Sequence, residues 1–219
     1  KNHEPSLLPD GEWKLVWADE FDGTELDRTK WDFRLNFWGK PFEAYTDQGI
    51  VLDGNSHIEL HRVEKDGYYV SPQLQTGSNS FDPPKDSDRF WPIGTIKEPT
   101  FQHRFGYYEC RCRLQQKLGW WSAFWIQSPI IGASLDPAVS GVEIDVMECF
   151  HPGVVVPQNV FTGGYGQDMQ RERFGDFIEL DKKEFHSFGL LWDETGYEFF
   201  IDGISRGKTN AHLTACPEF

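Results

Sequence analysis

The sequence predicts an all-β fold, an antiparallel sandwich or barrel, on three observations. Several short segments alternate apolar and polar residues with period two. Turn-forming residues recur between them, with 21 Gly and 13 Pro scattered along the 219 residues. Helical periodicity is nowhere sustained beyond a turn or two, residues 181–185 being the best short candidate for a helix. The chain holds no internal repeat and no low-complexity stretch, and its length suits one domain with a sizeable core.

The elements follow in chain order. Trp13, Trp17 and Trp31 are read as core or sheet packing near the start. In residues 56–63, Ile58 and Leu60 point one way while Glu59 and His61 point the other; Lys65-Asp66-Gly67 then turns the chain into Tyr68-Tyr69-Val70, a hairpin signal. Residues 77–92 are polar and Pro-rich, and residues 130–140 also carry loop formers; both are read as long surface loops of the kind that border functional faces. Tyr108, Cys110, Cys112 and Leu114 alternate with Glu109, Arg111 and Arg113. A strand over 188–192, the turn Asp193-Glu194-Thr195-Gly196, a strand over 197–201 and the turn Asp202-Gly203 close the pattern.

Composition narrows the function. With 21 Lys+Arg against 35 Asp+Glu the formal charge is −14, which argues against nucleic-acid binding. No run of about 18 apolar residues exists to span a membrane. Aromatics are abundant, 9 Trp, 7 Tyr and 18 Phe, so part of them belongs to the core and part is available for a functional surface. The start carries neither an initiator Met nor a signal-peptide pattern and reads as a mature or trimmed end. The four cysteines, Cys110, Cys112, Cys149 and Cys216, have no zinc spacing. They are read as buried free thiols, with one disulfide through Cys216 as the rival.

The most informative segment is Gly141-Val142-Glu143-Ile144-Asp145-Val146-Met147-Glu148-Cys149-Phe150. On a strand Val142, Ile144 and Val146 share one face, and Glu143 and Asp145 share the other. A regular strand would turn Glu148 toward the core. One extra residue, a β-bulge near Met147, brings Glu148 onto the acidic face and sends Met147 to the apolar side. Three carboxylates on one face repel each other, which a purely structural strand has little reason to tolerate. Two carboxyls brought about 5–5.5 Å apart are the equipment of a retaining glycosidase. A third between them orients the nucleophile and helps to set which acid keeps its proton.

This segment resembles the Glu-x-Asp-x-x-Glu signature of glycoside hydrolase family 16 in its bulged form, as in laminarinases, agarases and porphyranases. Two further segments carry the resemblance. Leu15-Val16-Trp17-Ala18-Asp19-Glu20-Phe21-Asp22-Gly23 is similar to the family's opening strand. Phe105-Gly106-Tyr107-Tyr108-Glu109-Cys110-Arg111 with Gly119-Trp120-Trp121-Ser122-Ala123-Phe124-Trp125 resembles the strand pair ahead of the acidic motif. The resemblance implies a β-jelly-roll of two curved antiparallel sheets with the glycan in a concave cleft. It implies Glu143 as nucleophile, Asp145 as the assisting acid and Glu148 as general acid/base. Trp121 and Trp125, four apart and therefore on one strand face, match cleft tryptophans that stack on sugar rings, whereas Trp120 points to the core. Arg34, Asn36 and Trp38 in a polar-aromatic loop, Trp91, His151 and Asn159 are weaker substrate-binding candidates.

The expected activity is a retaining endo-glycosidase acting on a β-1,3-glucan or a β-linked galactan; the alternatives are a transglycosylase of the same fold and a non-catalytic glycan-binding jelly-roll. The chemistry needs no cofactor, and no metal ligands are assigned; the resemblance leaves room for a structural calcium to which Glu20 would contribute. The expected partner is polysaccharide alone, with the protein monomeric and secreted, extracellular or periplasmic. Two departures stand out. Phe161 occupies a place where many laminarinase-like relatives carry a His, which alters contacts beside the acid/base. The sequence stops at Cys216-Pro217-Glu218-Phe219, where family members continue into further strands, so residues 1–219 are expected to be a single catalytic jelly-roll domain with C-terminal strands missing.

Overall fold

The computed structural model describes residues 3–35, 44–77, 79–80, 94–95, 98–164 and 166–219. Asn36, Trp38, Trp91 and most of the 77–92 loop lie outside the described residues. Two four-stranded antiparallel sheets dominate. Their strands are β1 (Gly106–Cys112), β2 (Ser122–Gln127), β3 (Glu143–Cys149), β4 (Gln158–Thr162), β5 (Gln170–Phe174), β6 (His186–Asp193), β7 (Gly196–Ile201) and β8 (Ile204–Thr209). One sheet runs β2-β3-β4-β5 and the other β8-β7-β6-β1. Non-sequential neighbours such as β6 and β1 are what a jelly-roll, rather than a simple meander, requires.

The core lies between the sheets because each strand turns its apolar alternate residues inward. Ile144, Val146 and Met147 of β3 and Val160 of β4 cluster with Phe188, Leu190 and Trp192 of β6 and Phe199 and Ile201 of β7. Trp192 is fully buried, edge-on to Phe105 at 5.3 Å and near-parallel to Tyr197 at 6.3 Å. The turns follow from backbone chemistry. Asp66-Gly67 and Asp202-Gly203 take positive φ at both positions (51° and 84°; 52° and 78°), the geometry that joins two twisted strands by a two-residue hairpin. Both hairpins fall where the sequence places them.

Three expectations are corrected. Residues 181–185 form a turn, and the one short helix among the described residues is Pro137–Ser140, inside the expected 130–140 loop. Asp136 caps it, its carboxylate accepting from the Ala138 N–H at 2.9 Å, and Pro137 stands in its first turn. The opening stretch, residues 15–23, makes no strand. It is held instead by aromatic contacts: Trp17 lies 5.2 Å from Trp31 and 5.4 Å from Phe101, and Trp31 donates to Asp19 at 2.8 Å. An extended segment can satisfy its apolar side chains this way without a ladder. Trp13, 37% exposed, packs on Tyr107 of β1, the sheet-packing half of its expected role.

The cysteines are four free thiols, Cys149 buried and the others half-buried. No helix among the described residues is long and apolar enough to cross a membrane. Residues Glu218 and Phe219 add a rung beside β2: Phe219 exchanges both backbone hydrogen bonds with Gln127 at 3.0 Å, and Glu218 does so with His103 at 2.9 Å.

Candidate active site

Register assembles the acids. β2 pairs with β3 as Ala123↔Glu148, Phe124↔Met147 and Trp125↔Asp145, so Val146 is the extra residue with no partner on β2. The bulge therefore falls one residue from the place expected and has the expected result. Val146 and Met147 are both in the core, and Glu143, Asp145 and Glu148 share the opposite face. These three are only 5%, 7% and 9% exposed. Burying three carboxylates side by side opposes folding, so the strand keeps them against a stability cost.

Each acid has its own partners. Gln127 donates Nε2–H to Glu143 Oε2 at 2.6 Å. Arg34 in turn donates to Gln127 Oε1 at 3.0 Å and places its guanidinium 4.8 Å from the Trp125 ring. Glu148 accepts from Trp121 Nε1 at 3.1 Å and from Asn159 Nδ2 at 3.1 Å. Burial raises the Asp145 carboxyl well above the ordinary range, and the charges of Glu143 and Glu148 push the same way. Burial also raises Glu148, against the hydrogen bonds from Trp121 and Asn159 and the charges of Arg173 and Arg171. The site thus contains carboxyls pushed up by burial beside Glu143, which accepts a hydrogen bond from Gln127.

The structure sorts the other candidates. Trp121 is 58% exposed beside Glu148, its ring tilted against Phe150 at 5.1 Å. Trp125 is across from Asp145 but half-buried, with Arg34 over its ring. Arg34 is 1% exposed, so it braces the floor instead of bordering the cleft as a loop residue. Asn159 pairs with Asp145 and touches Glu148. His151 is exposed in the turn after β3 and contacts none of the three acids. Trp120 is half-buried and stands outside the main core cluster. Phe161 lies opposite Glu143 and not opposite Glu148, which corrects the expected consequence of that departure; Glu148 is contacted by Asn159.

Sequence reasoning missed Gln127, Arg173 and Glu218. Gln127 continues the alternation Trp121, Ala123, Trp125 and was legible from it. Arg173 sits on β5, whose exposed polar residues give no strand signal. Glu218 is fully buried; its Oε1 accepts from the Val142 N–H at 3.3 Å, its Oε2 has no hydrogen-bond partner among the described residues, and burial raises its carboxyl well above the ordinary range. Nothing local marks it as buried. Glu20 lies 4.0 Å from His3, and among the described residues no group of three or more His, Cys, Asp or Glu is placed to hold a metal.

Comparisons place this geometry. The curated glucan endo-1,3-beta-glucosidase A1 of Niallia circulans is 25% identical over 210 residues, covering 86% of this chain and 28% of that protein. The beta-glucanase of Rhodothermus marinus is 26% identical over 196 residues, covering 87% and 63%. The beta-porphyranase C of Zobellia galactanivorans is 25% identical over 233 residues, covering 85% and 60%. The chain therefore spans less than two thirds of each of these relatives. Among solved structures, the laminarinases of Rhodothermus marinus (TM-score 0.65, 21% identity, covering 94% of this chain and 83% of that one) and Flavobacterium sp. UMI-01 (0.64, 20%, covering 94% and 85%) share the fold. The model of glycosyl hydrolases family 16 matches residues 42–216, which include all three acids, and on that match the chain belongs to this family.

Proposed function

We propose that the chain is a retaining endo-glycosidase that cuts internal β-linkages of a polysaccharide by double displacement. The observation that carries this reading is the trio Glu143, Asp145 and Glu148, buried together on one face of a bulged strand beside the exposed ring of Trp121. Glu143 attacks the anomeric carbon while Glu148 protonates the departing glycosidic oxygen. Glu148 then takes a proton from water as that water releases the sugar from Glu143. Asp145, its carboxyl pushed up by burial and by the charge of Glu143, steadies the nucleophile. A β-1,3-glucan or a β-linked galactan is the proposed substrate, since relatives carry the names glucan endo-1,3-beta-glucosidase and beta-porphyranase. A single catalytic domain that works as a monomer outside the cytoplasm, where such polymers are met, belongs to the same proposal.

Laminarin, mixed-linkage glucan, agarose and porphyran are the panel that tests it, read by product mass and by the anomer formed first. The expected result is a ladder of oligosaccharides from at least one polymer, released first as the β-anomer. Binding without products, or release of the α-anomer, would overturn the reading.

The pH dependence has a defined sign. Glu148 must be protonated to act first, and its raised pKa places the basic limb of kcat/KM above the ordinary carboxylate range. Trp121 and Asn159 stabilise its carboxylate, so Trp121→Phe and Asn159→Ala are each expected to raise that pKa further. The basic limb should move up, because each lost hydrogen bond favours the charged form. A limb that moves down refutes the assignment of Glu148 as acid.

A further inference from the structure

Arg171 and Arg173 alternate on β5 and pair with Phe161 and Asn159 of β4, which pair in turn with Glu143 and Asp145. Directly paired residues share a face, so both arginines stand on the face of the acids. Both are exposed. Arg173 is one side chain from the acid/base: its Nε donates to Asn159 Oδ1 at 3.3 Å, and Asn159 Nδ2 donates to Glu148 Oε2 at 3.1 Å. That contact ties the Arg173 guanidinium to Asn159.

These two exposed side chains lack what most other arginines have; Arg206, half-buried on β8, shares the lack. In a chain of 35 acids and 21 bases, a surface arginine has carboxylates to choose from. Arg28 takes Asp32, Arg62 rests on Tyr69, Arg104 on Phe105, and Arg111 and Arg113 on Phe185. Among the described residues Arg171 and Arg173 make no ion pair and rest on no ring. Two exposed cations that make no ion pair and act on Glu148 only through their field can take sulfate or carboxylate oxygens.

We propose that Arg171 and Arg173 form an anion-recognising subsite next to Glu148, which accepts a sulfate ester or a uronate carboxylate on the glycan near the bond being cut. This rests on the reading of the chain as a glycan-cleaving enzyme. The acidic surface of the protein repels such chains at long range, and the arginine pair supplies the local attraction that overrides it within about a Debye length. Neutralising the pair with a substrate anion also removes a field that lowers the Glu148 pKa, so a bound anion helps Glu148 to keep the proton it must donate.

The test measures kcat/KM on two anionic polymers, porphyran (sulfate) and a β-linked polyglucuronate (carboxylate), against the neutral polymers agarose and laminarin. The wild-type protein should favour one anionic polymer over the neutral ones by roughly 10- to 100-fold, the worth of one or two charge-assisted hydrogen bonds. That preference should shrink as NaCl rises, collapse in Arg171→Gln and Arg173→Gln, and largely survive in Arg173→Lys. Which anionic polymer is favoured tells sulfate from carboxylate. Cleavage of a neutral polymer with no anionic preference in the wild-type protein overturns the subsite alone, and this holds even if the variants fold poorly. No cleavage of any of the four overturns the enzymatic reading beneath it. A wild-type preference that both Gln variants retain, with their thermal melts unchanged, assigns the preference elsewhere and also sinks the subsite.

Discussion

Replacing Glu143 with Gln is expected to lower polysaccharide cleavage on the order of 10⁴- to 10⁶-fold, because no covalent glycosyl intermediate can form. The substitution is isosteric and Gln127 can still donate to the new carboxamide oxygen, so the fold and glycan binding should be kept. Glu148→Gln should cost roughly 10²- to 10⁴-fold on polysaccharide, the usual worth of a general acid. The same variant should be nearly spared in the first step on an aryl glycoside whose phenolate leaves without a proton. Glu143→Gln should be spared on neither substrate. Asp145→Asn, which keeps a neutral hydrogen-bond donor beside Glu143, should cost least of the three. Steady-state rates on polymer and aryl glycoside check the pattern. If Glu148→Gln is equally impaired on both, Glu148 is not the proton donor.

The second large effect concerns the core beneath the acids. Trp192 is wholly buried among Phe105, Tyr108 and Tyr197, and its Nε1–H has no hydrogen-bond partner among the described residues. Trp192→Ala opens a cavity between the two sheets and is expected to cost about 3–5 kcal/mol. For a domain of this size that lowers Tm by roughly 6–20 °C. Trp192→Phe keeps most of the apolar volume and removes the unpartnered donor, so its cost should be clearly smaller. Urea unfolding of both variants decides the matter: a Trp192→Ala protein within about 1 kcal/mol of wild type would show that this ring does not hold the sheets together.

Much of the site was legible because side-chain facing on a strand is a local property. Alternation over 142–149 separates acids from apolar residues, and the position of Glu148 demands one extra residue between it and Asp145. The same reasoning put Trp121 and Trp125 on one face and, carried two residues further, reaches Gln127. It failed where a segment lacks alternation or where apolar side chains are satisfied without a ladder. β5, with Gln170, Arg171, Glu172 and Arg173 exposed, looks like a loop in sequence. Residues 15–23 look like a strand, yet their aromatics pack on Trp31 and Phe101 and their backbone joins no ladder.

By itself the sequence determined the all-β character, the hairpin turns at Asp66-Gly67 and Asp202-Gly203, and the sharing of one face by Glu143, Asp145 and Glu148. All of these rest on periods and backbone preferences that span a few residues. The tertiary structure decided that Val146 is the bulged residue, that Arg34 is buried under the site, that His151 stands away from the acids, and that Arg173 reaches Glu148 through Asn159. Those depend on which strand lies beside which and in what register. Such pairings join residues up to 93 positions apart, as Arg34 and Gln127 are, and no local pattern encodes them.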